Sequence, residues 1–260
     1  SLKIGGGGKT SSTITLSTEL TNLGIHHAIL CLDLEKNMLK QEILRKINSK
    51  TPYSFSSDEA CLIAQSVNSE FATVFLCKRR DLAWKELARQ NNHKIILSDD
   101  GWEDPRISKA FVIRILTPNE KENPSKSDLF PEGNYRSLLE QHPTPLKTLR
   151  ISDSTNPAVT PDFSILTSLP INSDGQTISD WKNTVLIIAI GDSSRVIAQI
   201  KKQGLLPYEV INLKDHSNKF QDHVKKEINK ERLVLSTTKD LARLDKNLKK
   251  HPSIYGLQYS

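Results

Sequence analysis

Short apolar runs alternate with segments of helical character over the first 116 residues. Each apolar run has the length of one buried strand, and the segments between them carry helical spacing that ends, in the first case, at Gly24. Short buried strands that alternate with helices are typical of a parallel sheet with helices on both faces. The predicted strands are 28–32, 72–77, 95–97 and 111–116, and the predicted helices are 11–23, 60–67 and 82–90.

The pattern changes between residues 117 and 183, where eight of the twelve prolines fall among Ser, Asn and Asp. This stretch is too long for one ordinary loop inside a compact domain, so we expect it to connect two domains. Periodic order returns at 184–260, with predicted strands at 184–190, 209–213 and 233–235 and a helix at 194–203. The sequence therefore predicts an α/β protein: a larger parallel-sheet domain (1–116), a connecting segment (117–183) and a smaller α/β domain (184–260).

Composition sets the broad class of protein. The chain has 260 residues with 37% hydrophobic side chains, enough for a substantial core, and it contains no apolar run long enough to span a bilayer. The three cysteines lie in apolar stretches, which favours buried thiols in a reducing compartment. Because the chain opens on Ser1 almost directly before a glycine-rich loop, we expect a strand and further residues upstream.

The net charge of +6 is compatible with a phosphorylated substrate, an anionic membrane surface or nucleic acid. Basic residues are mostly scattered, which a solvated surface also explains. Aromatic residues do not interleave with them, as a single-strand-binding surface would require. Nucleic acid is therefore not expected as a partner.

The strongest chemical signal is the run Gly5-Gly6-Gly7-Gly8-Lys9-Thr10 at the start of a predicted helix. Glycines let successive backbone N–H groups point at phosphate oxygens, and the helix adds its positive end. Lys9 is then expected to reach the β- and γ-phosphates of a nucleoside triphosphate, and the Thr10 hydroxyl to bind Mg²⁺. A glycine-rich turn before a helix is the alternative, and the full pattern would place glycine at Lys3.

Two pairs of acidic residues are candidates for the same site. Asp99 and Asp100 follow the apolar run 95–97, where phosphate-loop enzymes hold Mg²⁺, although Asp-Asp-Gly is also a turn signal. Asp58 and Glu59 begin a predicted helix, where acids also serve ordinary helix electrostatics.

A histidine beside an acid, Asp215-His216, follows the predicted strand at 209–213. Such a pair can act as an acid–base group with its orienting partner. Surface pairs of this kind are also common, so the sequence leaves the role open.

Taken in order, these motifs resemble the tetraacyldisaccharide 4′-kinase family across nearly the whole chain. The family's Gly-Gly-Thr-Gly-Lys-Thr-Pro resembles 5–11, its Gly-Asp-Glu-Pro resembles 57–60, and its Asp-Asp-Gly-Leu-Gln-His resembles 99–104. Its arginine after a valine-rich strand resembles Arg80, and its Leu-Pro-Ala-Gly-x-Leu-Arg-Glu-Pro resembles 130–138. Further similarities are found at 189–192, at Asp215-His216 and at 237–240.

The resemblance implies ATP- and Mg²⁺-dependent phosphoryl transfer to the 4′-hydroxyl of a lipid disaccharide 1-phosphate. It implies two α/β domains with catalysis between them, at the cytoplasmic face of a bacterial inner membrane, attached peripherally or by an N-terminal helix. Site roles follow from it: the catalytic residues are Asp58 as base, His216, Lys9 and Asp99. The nucleotide-binding residues are Gly5, Gly6, Gly7, Gly8, Lys9, Thr10, Ser11 and Arg80, and the metal ligands are Thr10, Glu59, Asp99 and Asp100.

The chain also departs from the family pattern, and the family's Ser-Arg-Gly-Tyr segment has no counterpart around residues 31–37. Glu103 and Asp104 replace Gln-His, and Ser137 replaces the glutamate of Arg-Glu-Pro. Two added acids near a site for an anionic lipid should repel it unless a metal or an arginine compensates. The alternative function is therefore a nucleotide-binding module, or a family member that has lost lipid kinase activity. Oligomeric state does not follow from the sequence.

Overall fold

A computed structural model describes most of the chain. The described residues are 8–33, 38–52, 55–107, 111–116, 120–133, 135–152, 163–164, 169–190, 193–214 and 217–257. They belong to two compact units, the first comprising Ser1–Ser152 and Asn156–Phe163 and the second comprising Asp153–Thr155 and Ser164–Ser260.

The first unit is built on a four-stranded sheet whose order is β2-β3-β1-β4. β1 lies between β3 and β4 and is parallel to both, whereas the short strand β2 is antiparallel to β3. The elements of this sheet and its helices are α1 (Lys9–Asn22), β1 (His27–Leu32), β2 (Arg45–Ile47), α2 (Asp58–Ser66), β3 (Ala72–Cys77), α3 (Arg80–Gln90) and β4 (Ile95–Ser98).

Alternation along β1 divides the core of this unit into two layers. Ile29 and Cys31 face one layer together with residues of α2, and Ala28 and Leu30 face the other together with Ala83 and Leu87 of α3. Because both faces are covered, the three parallel strands β1, β3 and β4 consist mainly of apolar residues. All three cysteines are free and buried, as predicted.

A second, three-stranded sheet follows, in the order β5-β6-β7. Its strands are β5 (Ile113–Leu116), β6 (Lys147–Ser152) and β7 (Phe163–Ser164), and β5 and β6 are parallel. A small core of Trp102, Val112 and Tyr135 lies nearby, in the same unit. Because β6 pairs with β5, the first unit extends to residue 152, beyond the predicted boundary at residue 116.

The second unit contains a fully parallel sheet in the order β11-β10-β8-β9. α4 packs on one face, while α5 and α7 pack on the other. The elements are β8 (Thr184–Ile188), α4 (Ser193–Lys202), β9 (Glu209–Asn212), α5 (Phe220–Ile228), β10 (Leu233–Thr237), α6 (Thr238–Leu241), α7 (Lys246–Lys249) and β11 (Ile254–Leu257).

The predicted α/β class is confirmed, and every strand and helix that the sequence predicted is present within a few residues of its predicted bounds. The all-parallel expectation for the first sheet needs one correction, since β2 runs antiparallel at its edge. The elements that were not predicted are β2, β6, β7, β11, α5, α6 and α7.

Candidate active site

The N-terminus of α1 is the first part of the site. Gly8 caps the helix in the left-handed region, with φ of 67°, a conformation that favours glycine. Its carbonyl accepts hydrogen bonds from the backbone N–H and the hydroxyl of Ser12, at 3.0 and 2.9 Å. Lys9, Thr10 and Ser11 form the half-buried first turn. Gly5, Gly6 and Gly7 lie outside the described residues.

The turn after β4 is the second part. Asp100 adopts a left-handed conformation with φ of 52°, which aspartate tolerates better than most residues. At Gly101 a Cβ would lie 2.3 Å from the Ser98 hydroxyl oxygen, so only glycine fits this close approach. The Asp99 N–H donates to the Leu30 carbonyl on the neighbouring strand at 3.0 Å, which fixes the turn to the end of the sheet.

Lys9 and Asp100 join the two parts directly. Lys9 Nζ lies 3.0 Å from Asp100 Oδ2, and Arg136 Nη1 lies 3.0 Å from the same oxygen. Although burial raises the pKa of Asp100, the two cations together hold it below its ordinary value. The described structure thus brings together the predicted phosphate-loop lysine and the predicted strand-end carboxylate.

Asp99, the first acid of the turn after β4, is buried and contacts α1. The Thr13 hydroxyl donates to Asp99 Oδ1 at 2.8 Å. Burial, reinforced by the negative charge of Glu59, raises the pKa of Asp99 to about 6. A carboxylate that is buried beside a second carboxylate is stabilised by a bound cation.

Arg80 lies beneath this turn. It is only 5% exposed, and its Nη2 donates to the Asp99 backbone carbonyl at 2.7 Å. Arg80 Nε is buried and has no hydrogen-bond partner among the described residues. The structure therefore shows Arg80 holding the Asp99 turn; its predicted contact with nucleotide remains a prediction.

The start of α2 supplies the next two acids. Ser57 caps the helix by accepting a hydrogen bond from the Ala60 N–H at 3.2 Å, so Asp58 and Glu59 occupy its first turn. Asp58 is buried, and its Oδ1 accepts the Glu59 N–H at 2.9 Å. α2 packs against α1, and the charge of Glu59 acts on Asp99.

The donor set fits Mg²⁺. Glu59 lies close enough for its charge to act on Asp99, and Thr10 offers a hydroxyl in the first turn of α1. No group of three His, Cys, Asp or Glu side chains suited to a metal is found among the described residues. Mg²⁺ in phosphate-binding enzymes is usually held by one or two carboxylates plus substrate phosphates, so two are sufficient.

Two of the residues that depart from the family pattern are acids, and each lies beside an arginine. Glu103 Oε2 lies 3.5 Å from Arg136 Nη1, and Asp104 forms a paired contact with Arg106 at 2.8 and 2.7 Å. The Ser137 hydroxyl contacts His142 Nε2 at 2.7 Å. Arg106 thus offsets the charge of Asp104, whereas Arg136 is shared between Asp100 and Glu103 and offsets the charge of Glu103 only in part.

Two further residues of this region were not predicted. Thr13 lies one helical turn after Lys9 and Thr10, and that spacing could have identified it. Asp33 follows β1 at the edge where Asp99 follows β4; it is buried and its Oδ2 accepts the Met38 N–H at 2.8 Å.

In the second unit, the sequence motif at 237–240 contacts the motif at 189–192. Asp240 is fully buried, and its Oδ2 accepts the Ala189 N–H at 3.2 Å and the Thr237 hydroxyl at 2.9 Å. Asp240 thereby ties the end of β10 to the end of β8. The predicted pair Asp215-His216 lies outside the described residues.

The first unit has a glycine-capped helix that carries Lys9, and two carboxylates follow β4 of its mainly parallel sheet. These features define a phosphate-loop protein of the α/β class. Residues 1–259 match the LpxK family, tetraacyldisaccharide-1-P 4′-kinase, and the chain belongs to this family.

Individual relatives agree with this assignment. The chain is 24% identical over 219 residues to the tetraacyldisaccharide 4′-kinase of Wigglesworthia glossinidia brevipalpis, covering 83% of this chain and 58% of that protein. The chain thus spans less than two thirds of this relative's length.

The fold matches a crystal structure of the "apo" form of LpxK from Aquifex aeolicus in complex with ATP. The TM-score is 0.71 at 18% identity, covering 99% of this chain and 80% of that one. Within the described part of this chain, no helix combines the length and apolarity needed to cross a membrane.

Proposed function

We propose that this protein transfers the γ-phosphate of ATP to the 4′-hydroxyl of a tetraacyldisaccharide 1-phosphate. The observation that carries the proposal is the 3.0 Å contact between Lys9 and Asp100, with Asp99 and Glu59 beside it. This contact supports the proposal, because a magnesium nucleotide needs a phosphate-loop cation with carboxylates beside it. Family membership supplies the acceptor.

On binding ATP, Lys9 would exchange Asp100 for the β- and γ-phosphates, while the N–H groups at the start of α1 face the phosphate oxygens. Gly5 to Gly8, Ser11 and Arg80 complete the proposed nucleotide site. Thr10, Glu59, Asp99 and Asp100 are the proposed Mg²⁺ ligands; once bound, Mg²⁺ neutralises charge on the β- and γ-phosphates.

Asp58, assisted by His216, is the proposed base. It accepts the proton of the 4′-hydroxyl as the sugar oxygen bonds to the γ-phosphorus and the bond to the bridging oxygen breaks, releasing ADP. Phosphoryl transfer needs little covalent help, so positioning and charge neutralisation supply most of the acceleration.

The acceptor is a lipid, so an anionic membrane surface is a proposed partner, and the cytoplasmic face of the inner membrane is the proposed location. The pairing of Asp104 with Arg106 and the partial neutralisation of Glu103 by Arg136 support binding of an anionic acceptor at this site. The same pairs weigh against the alternative of a nucleotide-binding module without transfer.

The test is ADP release with and without the disaccharide 1-phosphate acceptor in detergent. We expect acceptor-stimulated turnover that falls by at least about a thousandfold in Lys9→Ala and in Asp58→Ala. Nucleotide binding without acceptor-stimulated turnover would instead identify the alternative module.

A further inference from the structure

The positive charge of this protein is concentrated in its second unit. Residues 164–260 contain fifteen Lys and Arg against ten Asp and Glu, so this part carries +5 of the total charge of +6. Much of the charge occurs as three Lys-Lys pairs, at 201–202, 225–226 and 249–250. All three pairs occupy equivalent positions in the fold.

Each Lys-Lys pair lies at or next to the C-terminal end of a helix that leads into a strand of the parallel sheet. α4 ends at the first pair and precedes β9, α5 carries the second and precedes β10, and α7 ends within the third and precedes β11. Because the four strands are parallel, all three pairs lie at the edge where the strands begin, here called the amino edge.

Contacts across the strand starts confirm this common edge. The Tyr208 N–H donates to the Thr184 carbonyl at 2.8 Å, and Asn183 Nδ2 donates to the Glu231 carbonyl at 2.9 Å. Ser173 Oγ donates to the Lys250 carbonyl at 3.2 Å. Segments that lead into β8, β9, β10 and β11 therefore sit side by side.

The lysines at the amino edge are available for an external ligand. Lys201, Lys225, Lys226 and Lys250 are exposed and form no ion pair with any residue that the structure describes. The acids Glu209 and Glu227 are already paired with Arg232 and Lys230, at 2.7 to 2.9 Å. Asp174, Asp180 and Glu231 are further exposed acids of the segments at this edge.

Apolar side chains project from the same edge. Leu206 and Tyr208, directly before β9, are 64% and 67% exposed. Lysine in the last turn of a helix is favourable to the helix dipole, and this explains a single lysine at each end. It does not explain paired lysines at three ends beside an exposed leucine and tyrosine.

We propose that the amino edge of the C-terminal sheet binds the surface of an anionic phospholipid bilayer. Lysines attract anionic headgroups, and tyrosine and leucine are suited to the interface beneath them. The choice of a lipid surface over another polyanion rests on the proposed function, because a kinase for a lipid acceptor must reach it at a membrane.

The test compares two double variants of the full chain with the same change in net charge. Lys226→Glu/Lys250→Glu alters the amino edge; Lys214→Glu/Lys219→Glu, at exposed positions between the end of β9 and the start of α5, alters the edge where the strands end. Binding is measured by cosedimentation, without ATP, using vesicles of phosphatidylcholine alone or mixed equally with phosphatidylglycerol. Activity on detergent-dispersed acceptor is measured separately, so failure of membrane binding is distinguishable from failure of the kinase proposal.

We expect binding only to the vesicles with phosphatidylglycerol, weakening with salt, and about tenfold or greater loss in the amino-edge variant alone. Leu206→Ser should weaken binding about threefold without altering charge. Equal loss in both double variants, equal binding to uncharged vesicles, or full displacement by single-stranded RNA would each overturn the proposal. If the amino-edge variant does not fold, Lys226→Gln/Lys250→Gln serves in its place.

Discussion

Thr13 links the helix of the phosphate loop to the buried carboxylate of the proposed metal site. Its hydroxyl donates to Asp99 at 2.8 Å, across 86 residues of sequence. We predict that Thr13→Val lowers kcat/KM for ATP by about thirtyfold, because a hydrogen bond to a buried charged group is worth about 2 kcal/mol. Thr13→Ser, which keeps the hydroxyl, should remain within about threefold of the wild type. Equal losses in the two variants would mean that packing, and not the hydrogen bond, matters at this position.

Glu103 adds a negative charge near the proposed acceptor site. We predict that Glu103→Gln lowers KM for the disaccharide 1-phosphate by about threefold to tenfold with kcat unchanged, since a repulsive charge is removed while Arg136 keeps Asp100. Asp104→Asn is the control, because Asp104 is paired with Arg106. A fall in kcat for Glu103→Gln would show instead that Glu103 is needed to hold Arg136.

At the scale of elements, the turn between α5 and β10 is stabilised by one buried acid. Glu227 Oε1 accepts from Lys230 Nζ at 2.7 Å, and Oε2 accepts from Arg232 Nη1 at 2.9 Å. Burial alone raises the pKa of Glu227, but the two cations lower it below its ordinary value of 4.5. Because the folded pKa is lowered, the contribution to stability is present above about pH 4.5 and is lost as the pH falls through the folded pKa.

We therefore predict that Glu227→Gln reduces the free energy of unfolding at pH 7 by about 1 kcal/mol, allowing for screening of the exposed partners. The difference from the wild type should shrink below pH 4.5. Urea unfolding followed across pH measures it, with Glu231→Gln, an exposed neighbour, as the control. A difference that stays constant with pH would contradict the role given to the ion pairs.

The hydrogen bonds by which Asp240 connects β10 to β8 give another prediction at the scale of elements. Asp240→Ala leaves the Ala189 N–H without its acceptor inside the protein, so the free energy of unfolding should fall by about 2 kcal/mol. Asp240→Asn keeps an acceptor oxygen and should lose less than half as much. Chemical denaturation of the three proteins measures this, and equal losses for Ala and Asn would show that the charge is the essential feature.

Hydrophobic periodicity was sufficient to predict the buried strands of the two four-stranded sheets, but not all the other elements. β1, β3, β4 and β8 consist mainly of apolar residues, whereas β2 and β6 contain charged residues and depend on pairing partners far along the chain. α5 could have been predicted, because Phe220, Val224 and Ile228 follow helical spacing.

The candidate active site was partly predictable, because some of its residues carry local sequence signals. Lys9 and Asp99-Asp100 carry local signals and meet as expected. The contacts of Arg136 and Arg80 with the turn after β4 depend on tertiary structure and leave no local signal.

At the scale of the whole molecule, the two units differ in charge and in their proposed tasks. The first unit is nearly neutral in sum and holds the phosphate-loop lysine and the carboxylates, while the second carries most of the positive charge at helix ends. A kinase for a membrane lipid needs both a nucleotide site and access to a lipid surface, and the chain offers one candidate for each.

The central claim is transfer of phosphate from ATP to the lipid disaccharide 1-phosphate, and mass analysis of the lipid after incubation with ATP and Mg²⁺ tests it most directly. The account predicts that the acceptor gains the mass of one phosphoryl group, that the group is on the 4′-oxygen, and that Lys9→Ala abolishes the product. An unchanged acceptor with inorganic phosphate as the only product of ATP would contradict it.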